Sequence, residues 1–135
     1  MGRGAGEALI VLDTHAWLWW CDDPKRLSRR AQREIERHEA IGVSAISCWE
    51  LAMLERKDRL RFDRGVASWV RQAIGRDDTV LIPVTTEIAT RGGEVYAGVP
   101  EPADALIYAT AVVNDASLVT RDRVLHEHDP ARVVW

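Results

Sequence analysis

Ala8-Leu-Ile-Val-Leu12 runs directly into Asp13-Thr-His15. A short, unbroken apolar run of this kind is the pattern of a strand buried on both faces. Such strands belong to parallel sheets covered by helices, so the stretch predicts an α/β fold. Asp13 then falls just past a strand's carboxyl end, where open parallel sheets gather their ligands.

The pattern continues outward. Residues 14–20 predict a short helix, ended by Asp22-Asp-Pro24. Ser28 is placed to cap a helix to about residue 39, with Arg29, Arg30, Arg33 and Arg37 keeping one face solvated. Residues 41–44 read as a second strand, and Ser47 as the opening of a helix to about Lys57. Further helices are expected over residues 64–74, 86–96 and 103–113, although Gly92-Gly93 interrupts the second of these. Residues 79–84 form a third strand candidate, with Pro83 marking its end. Residues 116–120 form a fourth and 132–135 a short fifth. Strands alternating with helices imply βαβ units around a central, mainly parallel sheet of four to five strands.

The 135 residues suit one domain, expected over residues 8–135, after a Gly-rich, flexible tail at residues 1–7. A hydrophobic share of 47% and a charged share of 29% are those of a soluble protein. Cys21 and Cys48 are too few for a disulfide scaffold and are expected as buried, reduced thiols. With no secretory signal and no apolar run near the roughly 20 residues of a membrane span, a cytoplasmic location is expected. The net charge of −3 excludes a whole-protein attraction to nucleic acid. Binding to RNA would need a local patch or a cation.

Acidic residues stand at the element ends. Asp13 follows the first strand, Asp122 follows the fourth, Glu50 lies early in the helix after the second, and Asp104 opens the apolar helix of residues 103–113. Each has a purely structural explanation. Asp13 and Asp122 suit N-caps, Ser47 with Glu50 suits a capping box, and Asp104 suits the positive end of a helix dipole. Capping, however, requires no common destination for these helix starts. Clustered carboxylates repel, by roughly 4 kcal/mol for a pair about 4 Å apart at an effective dielectric of about 20. A hard divalent cation relieves that repulsion and prefers oxygen ligands, so Mg²⁺ or Mn²⁺ is the expected cofactor. No Cys/His spacing offers a competing zinc site.

At these residues the sequence resembles a PIN domain, specifically a VapC-type toxin ribonuclease. The resemblance rests on Leu12-Asp-Thr-His-Ala-Trp-Leu-Trp19, Val43-Ser-Ala-Ile-Ser-Cys-Trp-Glu-Leu51, Pro102-Ala-Asp-Ala-Leu-Ile-Tyr-Ala-Thr-Ala111 and Leu118-Val-Thr-Arg-Asp122, in that order and spacing. It implies a three-layer α/β/α fold, with Asp13, Glu50, Asp104 and Asp122 as catalytic and metal-site acids. It implies support from Thr14 and Thr120, and leaves Glu101 either at the metal or at a helix cap. It further implies Mg²⁺- or Mn²⁺-dependent endonucleolytic cleavage of structured RNA (tRNA or ribosomal RNA), a homodimer, and a small antitoxin partner.

Other residues invite a functional reading. Arg121 and Arg123 flank Asp122 and are candidates for RNA contact, whereas Arg56, Lys57, Arg59, Arg61 and Arg64 read first as a solvated surface. The tryptophans read as core or interface residues. The apolar series Trp49, Leu54, Leu60, Phe62, Trp69 and Ile74 is expected to form part of an antitoxin or dimer groove. His15 reads as a packing residue, and His126, His128 and Asp129 as a solvated loop rather than a metal cluster. Two functional alternatives stand beside the nuclease. One is a phosphotransfer or phosphatase enzyme using Asp13 as nucleophile. The other is a module without hydrolysis, either a receiver-like regulatory α/β domain that binds Mg²⁺ or a catalytically silent PIN domain serving only for binding.

Overall fold

The computed structural model describes residues 8–135, so the tail expected over residues 1–7 lies outside the described residues. Strands β1 (Leu9–Leu12), β2 (Ala40–Ser44), β3 (Thr79–Ile82), β4 (Ser117–Val119) and β5 (Val133–Val134) form a parallel sheet in the order β3-β2-β1-β4-β5. Connecting them are α1 (Thr14–Asp22), a 3₁₀ turn (Pro24–Arg26), α2 (Arg29–Glu36), α3 (Ala45–Arg56), α4 (Val66–Ile74), α5 (Thr86–Val95), α6 (Pro102–Val113) and α7 (Arg123–His128).

The first strand explains the layering. Ile10 and Leu12 point into one apolar cluster with Trp17, Ile35 and Leu51, which brings α1, α2 and α3 to that face. Val11 points the other way, among Ile88, Ile107 and Leu125, which brings α5, α6 and α7 to the opposite face. This period-two alternation makes a three-layer α/β/α sandwich, as expected. Burying a side chain such as Ile10 or Leu12 contributes about 2 kcal/mol.

Several boundaries differ from the sequence reading, each for a local reason. β2 runs through Ser44, whose Oγ accepts from the Ile46 N–H at 3.2 Å. Helix α3 therefore opens at Ala45, and Ser47 lies inside it, fully buried, instead of capping it. α4 opens at Val66 because Gly65, at φ +83°, turns the chain after residue 64. Ser28 does cap α2, accepting from the Ala31 N–H at 3.0 Å, but that helix stops at Glu36. α5 survives its glycine pair because a Cβ on Gly92 would stand 2.9 Å from Leu106 Cδ2. The missing side chain lets α5 close onto α6. The segment containing His126 and His128 is helix α7, not a loop.

Trp17 and Trp19 are buried, with Trp17 edge-on to Trp69 at 4.9 Å and Phe62 tilted on Trp69 at 5.5 Å. Cys21 and Cys48 are free but only half-buried, and burial pushes both thiols up towards the unreactive protonated form. Among the described residues, no helix is long and apolar enough to cross a membrane.

Candidate active site

Strand register pairs Leu12 with both Val43 and Val119. Asp13 and Thr120 therefore leave the sheet side by side, and the Asp13 N–H still donates to Val119 O at 3.0 Å. The sheet builds outward from β1 through β2 and β3, then resumes on the other side with β4 and β5. The gap between β1 and β4 is thus the topological switch point, where α/β sheets open a crevice.

A cleft of about 500 Å³ lies there, lined by Asp13, Glu50, Asp104 and Asp122. His15, Trp19, Arg26 and Arg121 complete its walls. Asp13 caps α1, its Oδ1 accepting from the Ala16 N–H at 2.8 Å, while its Oδ2 accepts from the Thr120 hydroxyl. The same Thr120 oxygen accepts from the Asp122 N–H at 3.0 Å. Asp122 caps α7, its Oδ1 accepting from the Leu125 N–H at 2.9 Å. Capping and convergence are therefore not rival explanations at Asp13 and Asp122, because the same carboxylates do both.

Glu50 loses its capping explanation, since Ser44 caps α3 in place of Ser47. Instead Glu50 Oε1 accepts from the buried Thr14 hydroxyl, which also lies 2.9 Å from Ser47 Oγ. A hydroxyl has one proton. Thr14 gives it to the carboxylate and accepts from Ser47, so the helix-internal serine fixes the Thr14–Glu50 pair.

The acids influence one another. Burial raises the Asp104 carboxyl, and the charges of Asp122, Glu50, Asp13 and finally Glu101 raise it further, to about 7. Burial also raises Asp13, against the lowering effect of hydrogen bonds from Thr120 and Ala16. Among the described residues, no three His, Cys, Asp or Glu side chains are grouped so that they could hold a metal ion as they stand. The donor set is thus an open group of hard oxygens with mutual repulsion for a cation to relieve. That suits a small divalent ion that keeps several of its waters.

The remaining candidates separate clearly. Arg121 lines the cleft, whereas Arg123 is 89% exposed on its side chain and pairs with Glu127 at 3.7 Å. Glu101 is exposed at the N-cap position of α6, makes no capping hydrogen bond and does not line the cleft. His15 is exposed, its ring 5.7 Å from that of Trp19. Asp129 accepts from the Tyr108 hydroxyl at 2.7 Å and pairs with Arg132 at 3.3 Å, a structural tie away from the acids. Ser47 and Arg26 were not anticipated at the site. Ser47 stands one helical turn before Glu50, a spacing that carries a signal. Arg26 carries none, because only the folded chain brings the 3₁₀ turn to the cleft.

Residues 10–129 match the family model of the PIN domain. The chain belongs to the PIN domain family. As a PIN domain it is 39% identical to Ribonuclease VapC22 of Mycobacterium tuberculosis over 129 residues, covering 93% of this chain and 98% of that one. Its fold is shared with a toxin-antitoxin complex from Klebsiella pneumoniae, at 20% identity, TM-score 0.62, and coverage of 93% and 96% of the two chains. It is shared also with VapBC2 from Rickettsia felis, bound there to a DNA fragment from its promoter, at 14% identity, TM-score 0.63, and coverage of 94% and 97%.

Proposed function

We propose that this PIN domain is an Mg²⁺- or Mn²⁺-dependent endoribonuclease, the toxin of a cytoplasmic toxin–antitoxin pair, which hydrolyses phosphodiester bonds of structured RNA such as tRNA or ribosomal RNA. One observation carries the reading: Asp13, Glu50, Asp104 and Asp122 converge on one cleft at the switch point of the sheet. The 39% identity to a named ribonuclease supports the same chemistry.

In this reading Asp13, Asp104 and Asp122 would hold the divalent ion, with Glu50 beside them. When bound, the ion supplies a hydroxide-like nucleophile and offsets charge on the phosphate and leaving oxygen. Asp13 is fixed for its task through both oxygens, by Ala16 and Thr120. Glu50 is held by Thr14 and can orient the attacking water. Arg121 lies within the same cleft to meet the phosphate.

A protein partner has a surface available. Phe62, Trp69 and Ile74 rest on the core yet remain half-buried, and Trp49 is 55% exposed. We assign these residues to antitoxin contact, where a bound antitoxin would also cover the cavities that Phe62 and Trp69 line, and homodimerisation to the intact toxin. Size-exclusion of the chain with and without its genomic neighbour tests the assignment; the absence of any complex would count against it.

The decisive assay is cleavage of total cellular RNA by wild type and Asp13→Asn, with Mg²⁺ or EDTA. Cleavage by wild type with Mg²⁺ alone supports the proposal. Equal cleavage by both proteins, or none by either, overturns it. Trapping of a covalent phosphoaspartate on Asp13 would instead favour the phosphotransfer alternative.

A further inference from the structure

The acid cleft does not end at its own rim. It shares His15, Trp19 and Arg26 with a second cavity of about 390 Å³, which is also lined by Asp22, Arg61 and Phe62. That cavity in turn shares Asp22, Arg61 and Phe62 with a third of about 480 Å³, which reaches Arg64. The floor is one face of α1, because His15, Trp19 and Asp22 follow the helical spacing of i, i+4 and i+7. At about 1.5 Å per residue this face extends the cleft by roughly 10 Å.

Arg26 stands at the junction. Its guanidinium lies 4.7 Å from the centre of the Trp19 ring, a contact that restricts its orientation without using its hydrogen-bond donors. Among the described residues, Arg26, Arg61 and Arg64 make no ion pair, although acids line the same trough. Asp22, Asp23 and Asp63 are the acids lining these cavities, and Asp22 is already occupied: its oxygens accept from the Trp69 indole N–H at 3.0 and 3.2 Å. The trough therefore offers successive arginines that form no ion pair among the described residues, leading away from a nuclease-type site.

We infer that the RNA strand leaves the cleavage site along this trough, with Arg26 contacting the phosphate next to the bond that is cut and Arg61 and Arg64 contacting phosphates further along. The inference rests on the ribonuclease reading and names the path of its substrate. Arg26 is a binding residue here, fixed by Trp19, and its planar fork matches a phosphate better than a lysine would.

The test uses fluorescently labelled bulk tRNA in Mg²⁺, bound by the uncleaving Asp13→Asn protein. Into that background Arg26→Ala, Arg61→Ala and Arg64→Ala are introduced singly. Arg91→Ala, on α5 across the sheet, is the control. Each trough variant should weaken binding roughly five- to tenfold and flatten the dependence of log affinity on log salt by about one unit, while Arg91→Ala changes neither. Arg26→Lys should restore the salt slope but only part of the affinity. A merely structural role for Arg26 would lower the melting temperature and leave the slope alone. Unchanged affinity and slope in all three trough variants overturn the inference, while cleavage by wild type in the assay above leaves the nuclease reading standing. Weakened antitoxin capture with unchanged RNA binding also overturns it, and gives the trough to the protein partner.

Discussion

Thr120 donates its hydroxyl proton to Asp13 Oδ2 across 107 positions of sequence, and the Thr120 hydroxyl oxygen in turn accepts the N–H of Asp122. One buried hydroxyl thus sets the geometry of two acids that leave adjacent strands. Thr120→Val keeps the shape and removes the bridge. We expect cleavage to fall roughly ten- to a hundredfold, the usual scale for losing a partner of a metal ligand. A stability loss of about 1–2 kcal/mol should accompany it, from the stranded Asp122 N–H. Thr120→Ser should recover most of the activity. Cleavage kinetics that do not distinguish Val from Thr would remove Thr120 from the site.

Ser44 takes the capping role expected of Ser47. Ser44→Ala should cost about 1 kcal/mol through the lost cap on α3. Ser47→Ala should act on activity, because it frees the Thr14 hydroxyl that holds Glu50. Denaturant melts and cleavage rates of the two variants give the comparison. A larger activity loss from Ser44→Ala than from Ser47→Ala would reverse the assignment.

The raised carboxyl of Asp104 has a defined pH signature. The fold binds this proton more tightly than the unfolded chain does, whose value is 3.8 against about 7 in the fold. In the metal-free protein, the stability contributed by the protonated acid is complete below the lower value and is lost as pH rises through the higher. Asp13, raised in the same direction, adds to the effect. Asp104→Asn should therefore gain stability over wild type as pH rises from about 4 to about 7, by about 1–2 kcal/mol after allowing for solvent screening. Thermal melts in EDTA across that range measure it. Added Mg²⁺ should raise the wild-type midpoint at neutral pH more than that of the variant. A variant-minus-wild-type difference that is flat with pH would contradict the clustering of the acids.

Away from the cleft, Asp129 ties Tyr108 to Arg132. Tyr108→Phe should cost about 1 kcal/mol in a denaturant melt and leave Mg²⁺-dependent cleavage at the wild-type rate. His128→Ala should likewise leave metal affinity unchanged. A loss of metal binding in either variant would restore the His126, His128 and Asp129 cluster as a ligand set.

Much of the fold is legible in short-range pattern. The run from Leu9 to Leu12 is apolar on both faces because both faces are covered, and Pro83 does end β3 at Ile82. The caps at Asp13, Ser28 and Asp122 are legible for the same local reason, since a side-chain oxygen two or three residues before an N–H identifies itself. Ser44 and Ser47 are not separable that way. Pairing of β2 with β1 and β3 decides where the strand ends, and that is a long-range fact. Asp104 is harder still, because α6 arrives only after α5 has crossed from the far edge strand. Pattern marks Asp104 as an acid opening an apolar helix, but not which sheet edge that helix starts from. Arg26 has no signature of any kind in the sequence, since its place depends on Trp19 and on a turn that follows α1.

The double duty of Asp13 and Asp122 has a consequence for how this protein can lose its activity. Asparagine caps helices about as well as aspartate does. Replacing either aspartate with asparagine therefore keeps α1 and α7 anchored, and removes a charge that repels its neighbours. If the proposed function holds, the chain would be disarmed at those positions without being unfolded. A harmless version of the protein would persist in the cell, still able to occupy whatever partner the active form engages.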